Sequence, residues 1–272
     1  MIMLRRLSLM TALLLAAGPA GAEEPLRFEG QVEAVHRAEI ATKVDGVVTA
    51  VLFEGGERVA AGDALMRIDA DGFALEVKEA EAVRAEAEAA RKLAEQEAER
   101  SRGLAARGIA TDRRLETAEA ELIRATADVA RADAALARAR LDLERATIRA
   151  PIAGVISRPA IALGAFVEAE AGPALATLVQ LDPVFVAYKV PYDVRLETLR
   201  RSGAATIEAL LERITLTLLL PDGTAYAEPG KPEIASAAVD TETGAITIWA
   251  RFANPDAILR PGMRVEILST LN

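Results

Sequence analysis

The side chains that most often do chemistry are sparse in this chain. It has no cysteine and a single histidine, His36. Thiol catalysis and cysteine zinc sites are excluded, and a Ser/His nucleophile relay is excluded unless His36 serves in it. Paired carboxylates stand at Asp69 and Asp71 and at Asp240 and Glu242. Such pairs can do general acid/base hydrolysis, but they are equally the residues of turns and helix caps. No Met-rich or His-rich run offers soft ligands to a metal. We therefore expect no catalytic, cofactor-binding or metal-binding residue, and look for function in the elements that carry surfaces.

Those elements are drawn from 272 residues that are 51% hydrophobic yet only 4% aromatic. An apolar fraction made mostly of Ala, Leu and Val suits thin helical seams and small sheets better than one large core. The formal charge is −9, and loss of Arg5 and Arg6 with a leader would make it more acidic. A uniformly acidic surface repels phosphate backbones, so no nucleic-acid partner is expected.

The leader is read at residues 1–22. Arg5 and Arg6 precede the apolar run Leu7 to Ala17, and small Ala20 and Ala22 stand where a signal peptidase cuts. Eleven residues rise about 16 Å as a helix, too short for a ~30 Å hydrocarbon core. Cleavage after Ala22 and export are expected. No Cys follows the small residues, so no lipid is attached there.

An internal repeat comes next. Gly46, Val47, Val48, Gly56 and Val59 recur as Gly154, Val155, Ile156, Gly164 and Val167, and Gly62, Leu65 and Ile68 recur as Gly172, Leu175 and Leu178. Short β-branched runs punctuated by Gly predict two or three strands with tight turns in each copy. One small hairpin is marginal alone, so the copies, 44–71 and 148–180, are expected to bury each other's apolar faces. A short strand segment, 23–43, precedes them. A carrier of lipoate or biotin would use the same repeat but needs a lysine on a presenting turn. The only lysines are Lys43, Lys78, Lys92, Lys189 and Lys231, none on an internal turn of either copy.

Between the copies, 72–147 is free of Pro and rich in Ala, Glu and Arg. Leu115, Leu122, Val129, Leu136 and Leu143 are spaced by seven, with Ala118, Ala125, Ala132, Ala139 and Ala146 beside them. This is a coiled-coil seam. Phe73, Val77, Ala80, Ala87, Ala90 and Ala94 give a weaker seam in the preceding arm, which ends near Leu104. Gly103 and Gly108 mark the break, and Thr111-Asp112 is an N-cap start. Because its ends join the two copies, the segment must be an antiparallel hairpin, with arms of ~48 Å. Glu and Arg on its outer faces read as solvated charge.

The region 181–272 alternates strands and turns: Val184 to Val190, a short helical segment with Leu196 and Leu199, Ile214 to Leu220, Ala245 to Phe252, and Met263 to Leu268. Regular short strands predict a small β-barrel, with Trp249 and Phe252 as packing residues. The fold class is thus α+β, multi-module and elongated: a β-sandwich split by a long antiparallel helical hairpin, followed by a small barrel.

That order resembles the periplasmic adaptors, or membrane fusion proteins, of tripartite efflux pumps of the resistance-nodulation-division (RND) type. The matching residues are Val44-Asp-Gly-Val-Val48 with Gly56, Val59 and Gly62-Asp63; Ile148-Arg-Ala-Pro-Ile152 with Gly154; Leu181-Asp-Pro-Val-Phe185; and Val239-Asp-Thr-Glu-Thr-Gly244 with Arg251, Asn254-Pro255 and Leu259-Arg-Pro-Gly-Met263. The resemblance implies a lipoyl-like sandwich and a hairpin that reaches a TolC-type channel in the outer membrane. It also implies an inner-membrane efflux transporter as the second partner, and three or six copies forming a tube. Family members carry Arg, Leu and Ser at the hairpin tip as channel contacts, and Arg100, Leu104 and Thr111 stand at that spacing. Each also has a purely structural role: Arg100 in solvent, Leu104 closing the seam, Thr111 capping its helix. Such adaptors continue past the Arg-Pro-Gly-Met strand into a membrane-proximal domain, whereas this sequence stops at Asn272. A non-transport coiled-coil scaffold of the envelope, or an adaptor of an ABC-type exporter, remains the alternative.

Overall fold

The computed structural model describes residues 25–169 and 172–271; the leader assigned to 1–22 lies outside them. The chain opens with β1 (Leu26–Ala34), β2 (Arg37–Ile40), β3 (Gly46–Val51), β4 (Arg58–Val59) and β5 (Ala64–Ile68). Two long helices follow, α1 (Asp71–Ala105) and α2 (Asp112–Arg145). Then come β6 (Thr147–Arg149), β7 (Gly154–Ile156), β8 (Phe166–Val167), β9 (Ala176–Val179) and β10 (Val184–Pro191). The rest is α3 (Tyr192–Ser202), α4 (Ile207–Glu212), β11 (Ile214–Leu219), β12 (Lys231–Ala235), β13 (Ala245–Phe252) and β14 (Arg264–Leu271). Contacts divide these into two units, one of Ala34–Val184 with Asn254–Arg260 and the other of the remaining residues.

In the first unit the repeat becomes two four-stranded sheets, β2-β9-β7-β4 and β6-β5-β3-β8. Each copy keeps two strands in one sheet and lends its middle strand to the other: β4 pairs with β7, and β8 pairs with β3. The exchange is pseudo-symmetric down to single hydrogen bonds. The Gly56 N–H donates to Ile156 O at 2.8 Å, and its counterpart Gly164 donates to Val48 O at 2.8 Å. Both glycines have positive φ, 90° and 84°, a conformation that side-chain-bearing residues avoid. The matched apolar pairs Val48 and Ile156, Val59 and Val167, Leu65 and Leu175, and Ile68 and Leu178 all enter one shared core. Each copy supplies half of that core, as the marginal stability of a lone hairpin requires.

The hairpin follows the seven-residue spacing. Ala118, Ala125, Ala132, Leu136 and Ala139 of α2 are buried against α1. In α1 the buried residues are Ala98 and Ser101, and the half-buried positions Val77, Ala80, Arg84, Ala87, Arg91 and Ala94 continue the 3-4 spacing. Ala90, expected in the seam, is exposed instead, because the phase set by Ala98 and Ser101 turns it outward. Ion pairs between the arms, Arg84–Asp133 at 2.5 Å, Arg140–Glu81 at 2.8 Å and Arg102–Glu119 at 2.8 Å, match one antiparallel register. At such exposure each serves register more than stability. Among the described residues, no helix is long and apolar enough to cross a membrane.

The second unit is the barrel, ordered β11-β14-β1-β10-β13-β12. It closes where Leu216 of β11 and Gly230, just before β12, exchange hydrogen bonds of 3.0 and 2.8 Å. Phe252 is fully buried, as expected of a packing residue. Trp249 is not: it is half-buried on the outer face, and its Nε1 donates to Glu33 at 3.0 Å. Strand parity explains this, since Ile246, Ile248, Ala250 and Phe252 take the inner face and leave Trp249 beside Arg251 outside.

Candidate functional site: the hairpin tip

Helix α1 ends at Ala105 because the chain turns through Gly108, whose φ of 70° is left-handed. The freed Leu104 carbonyl accepts from the Ile109 N–H at 2.9 Å, and the Ala105 carbonyl from the Gly108 N–H at 2.9 Å. Thr111 is extended, with φ −80° and ψ 148°, and α2 starts directly after it. Backbone bonds thus brace the turn, and residues 106–109 and Thr111 are exposed while Ala110 is half-buried.

The structure puts Arg100 and Leu104 one turn apart on α1 and Thr111 across the turn at the start of α2. Arg100 is exposed, and its Nη1 donates to Glu97 Oε2 at 3.1 Å. The same carboxylate accepts from Arg114 Nη2 of the other arm at 3.3 Å, so Glu97 links both arms beneath the tip. Leu104 is half-buried. Thr111 sits at the N-cap position, and its carbonyl accepts from Arg114 N at 2.9 Å, but its hydroxyl makes no capping bond. The hydroxyl is exposed and uncommitted to the helix, a difference from the capping role read in the sequence. Ile109, missed by that reading, is 70% exposed at the apex. Its signal was available: an apolar residue directly after a helix-ending Gly, outside every seam position.

The acid pairs prove to be local structure. Asp69 Oδ1 accepts from the Asp71 N–H at 3.1 Å, ahead of α1. Asp240 Oδ1 accepts from the Glu242 and Thr243 N–H groups at 3.0 and 3.1 Å, and its Oδ2 from Lys189 Nζ at 3.1 Å. His36 is exposed, and its carbonyl accepts from Gln180 N at 3.0 Å.

Comparison with known proteins agrees with this architecture. Residues 36–189 match the barrel-sandwich hybrid domain of RND membrane fusion proteins, and residues 183–271 match the β-barrel domain of the same proteins. The chain is 30% identical over 247 residues to the multidrug efflux pump subunit AcrA of Escherichia coli K12, covering 89% of this chain and 62% of that protein. It is 30% identical over 239 residues to the multidrug resistance protein MexA of Pseudomonas aeruginosa, covering 87% and 58%. It thus spans about three fifths of the length of these relatives. Among solved structures, the membrane fusion protein Spr0693 of Streptococcus pneumoniae R6 superposes with a TM-score of 0.66 at 15% identity, covering 91% of this chain and 99% of that one. A MacA–MexA chimera carrying the MexA α-hairpin of Pseudomonas aeruginosa gives 0.59 at 19% identity, covering 93% and 83%. At such identities these two likenesses show the fold.

Proposed function

The chain belongs to the RND membrane fusion proteins, and from that premise we propose that it is a periplasmic adaptor coupling an inner-membrane efflux transporter to a TolC-type outer-membrane channel for export of small toxic compounds. In this reading the leader at 1–22 delivers it to the periplasm, where it lies peripheral to the inner membrane as a trimer or hexamer. It is not an enzyme; the transporter supplies the energy.

The observation that carries the reading is the tip of the hairpin. Two arms of 35 and 34 residues rise about 50 Å each and present Arg100, Leu104 and the unspent Thr111 hydroxyl at the turn. A helical pair entering a partner's groove uses apolar anchors for affinity and a planar guanidinium for register. We assign those roles to Leu104 and Arg100, with Thr111 offering a hydrogen bond.

The test is export in cells that depend on this protein. Arg100→Asp and Leu104→Asp should each restore sensitivity to toxic compounds while secretion and helix content stay normal, since both positions lie at or near the surface and the new charge meets the partner's surface instead. Full resistance in both variants would overturn the tip assignment. Unchanged sensitivity after gene deletion, with altered envelope integrity, would favour the scaffold alternative.

A further inference from the structure

Leu75 and Leu93 of α1 and Ile123 and Leu141 of α2 are apolar, yet they are 64%, 69%, 71% and 43% exposed. Single surface leucines mean little, but these four are spaced. On each helix the two stand five full turns apart, so they lie on one line, about 27 Å from each other. Each line is filled at steps of three and four, which keep a strip on one side of a helix. On α1 it reads Leu75, Glu79, Ala82, Glu86, Ala89, Leu93; on α2, in the opposite chain direction, Leu141, Arg138, Ala134, Arg131, Ala127, Ile123. Every member is exposed, and both strips lie on the side of their helix away from the seam.

The two strips have one order, apolar, charged, small, charged, small, apolar, with acid on α1 where α2 has base. They also stand at the same levels. The arms are antiparallel, and the ion pairs Arg84–Asp133 and Arg140–Glu81 fix their register. In that register Leu75 is level with Leu141, and Leu93 with Ile123, to within about one turn. Among the described residues Glu79, Glu86 and Arg138 have no ion pair. Arg131 pairs with Asp128 of its own helix at 3.0 Å, but its side chain is 80% exposed.

We propose that the strips are the two halves of one contact between copies of this chain. The α1 strip of one hairpin lies along the α2 strip of its neighbour, Leu75 against Leu141 and Leu93 against Ile123, with Glu79 beside Arg138 and Glu86 beside Arg131. The alanines between them let the helices approach. Because the strips share their levels, neighbours stand side by side with no step along the hairpin, the condition for a head-to-tail contact to close into a ring instead of climbing as a filament. A two-fold contact, α1 on α1 or α2 on α2 at one level, would set Glu against Glu or Arg against Arg, so the charges select the head-to-tail arrangement. The proposal rests on the trimer-or-hexamer part of the adaptor reading and deepens it by naming the surfaces that meet. Export by tip variants tests the adaptor role, whereas the experiment below reads only contact between copies, so each can fail alone.

The chain has no cysteine, so introduced thiols report single contacts. Full chains carrying Ala82→Cys and Ala134→Cys, both exposed at mid-strip, are mixed and oxidised. The mixture should yield a disulfide-linked pair, and each variant alone several-fold less. Ala120→Cys, exposed on α2 about 20 Å nearer the tip, is the off-level control and should not couple to the Ala82→Cys chain. Adding Glu79→Arg and Glu86→Arg to the Ala82→Cys chain should abolish the pair. Adding Arg131→Glu and Arg138→Glu to the Ala134→Cys chain should then restore it, which shows that the first reversal did not merely unfold the hairpin. No pair in the mixture overturns the proposal, as does equal coupling of either variant with itself or with the Ala120→Cys chain, or a pair indifferent to charge reversal.

Discussion

Gly154 lies so close to the Val179 carbonyl that a Cβ placed on it would be 2.4 Å from the oxygen and 2.8 Å from the carbon. Both groups are backbone, β7 against β9, so neither can rotate away. Gly154→Ala should therefore pry these strands apart and destabilise the sandwich by about 1–3 kcal/mol, the usual range for overpacking. Gly103 in α1 is the control: nothing lies within 4 Å of its added Cβ, and Gly103→Ala should be neutral or stabilise by up to ~1 kcal/mol through helix propensity. Urea midpoints measured by circular dichroism separate the two.

Leu136 is 6% exposed in the α2 seam, whereas Ile123 on the same helix is 71% exposed. An aspartate at 136 would be an unpaired buried charge, and Leu136→Asp should cost several kcal/mol and melt much of the hairpin. Ile123→Asp should change stability by under ~0.5 kcal/mol, as surface substitutions do. Ellipticity at 222 nm of the two variants, measured side by side, decides it. Equal helix content in both would mean that the 118–139 face is not the seam.

Much of this architecture was legible because its signals are local. Gly46, Gly56, Gly154 and Gly164 mark repeat and turns, and Ala118 to Ala139 mark a seam, each through neighbours within one strand or one heptad. Long-range pairing left no such trace. Nothing in Leu26–Ala34 indicates that it lies between β14 and β10, with Leu26 opposite Ser269. Strand β12 contains Pro232, which weakens any strand reading, and α4 is six residues long, too short for a helical period to show. The outward face of Trp249 was legible, since it shares parity with Arg251, but its size suggested packing first. Arg195 was not legible at all. A charged residue in a short amphipathic helix reads as solvated, and only the packing of α3, α4 and the barrel strands buries it. At the tip, spacing pointed to Arg100, Leu104 and Thr111, while the exposure of the Thr111 hydroxyl depends on how the turn satisfies its own backbone.

Asn254 carries a heavier load than a turn residue usually does. It is fully buried; its Nδ2 donates to the Leu181 and Leu259 carbonyls at 2.6 and 2.9 Å, and its Oδ1 accepts from Leu259 N at 3.0 Å. Its backbone N–H donates to Asp182 Oδ1 at 2.8 Å. The side chain thus ties segment 254–260 to residue 181. Asn254→Leu is close in size but leaves those backbone groups unsatisfied, at about 1–3 kcal/mol for each that stays buried. Asn254→Asp keeps the acceptor, loses both donations and should be as harmful. Faster proteolytic cleavage between 254 and 260 in both variants is the expected readout, and wild-type protection in either would contradict it.

Acid should loosen the barrel through Asp240. The Lys189 ammonium, then the N–H groups of Thr243 and Glu242, hold its carboxyl down at about 2 from the usual 3.8. A depressed acid stabilises the fold above its unfolded pKa, and that contribution is lost as pH falls through the folded value. The loss from this residue therefore runs from about pH 4 down to about pH 2. Glu208, Asp222 and Glu233 are also held below their ordinary range, each chiefly by hydrogen bonds, so the unaltered barrel should weaken steadily over the same acid region. In Asp240→Asn the charge is gone, and the urea midpoint reported by Trp249 should be lower at pH 5 but fall less between pH 4 and pH 2. Because Asp240 is exposed, high salt should shrink the difference. Parallel pH dependence in the two proteins would show that the Lys189 contact does not hold in solution.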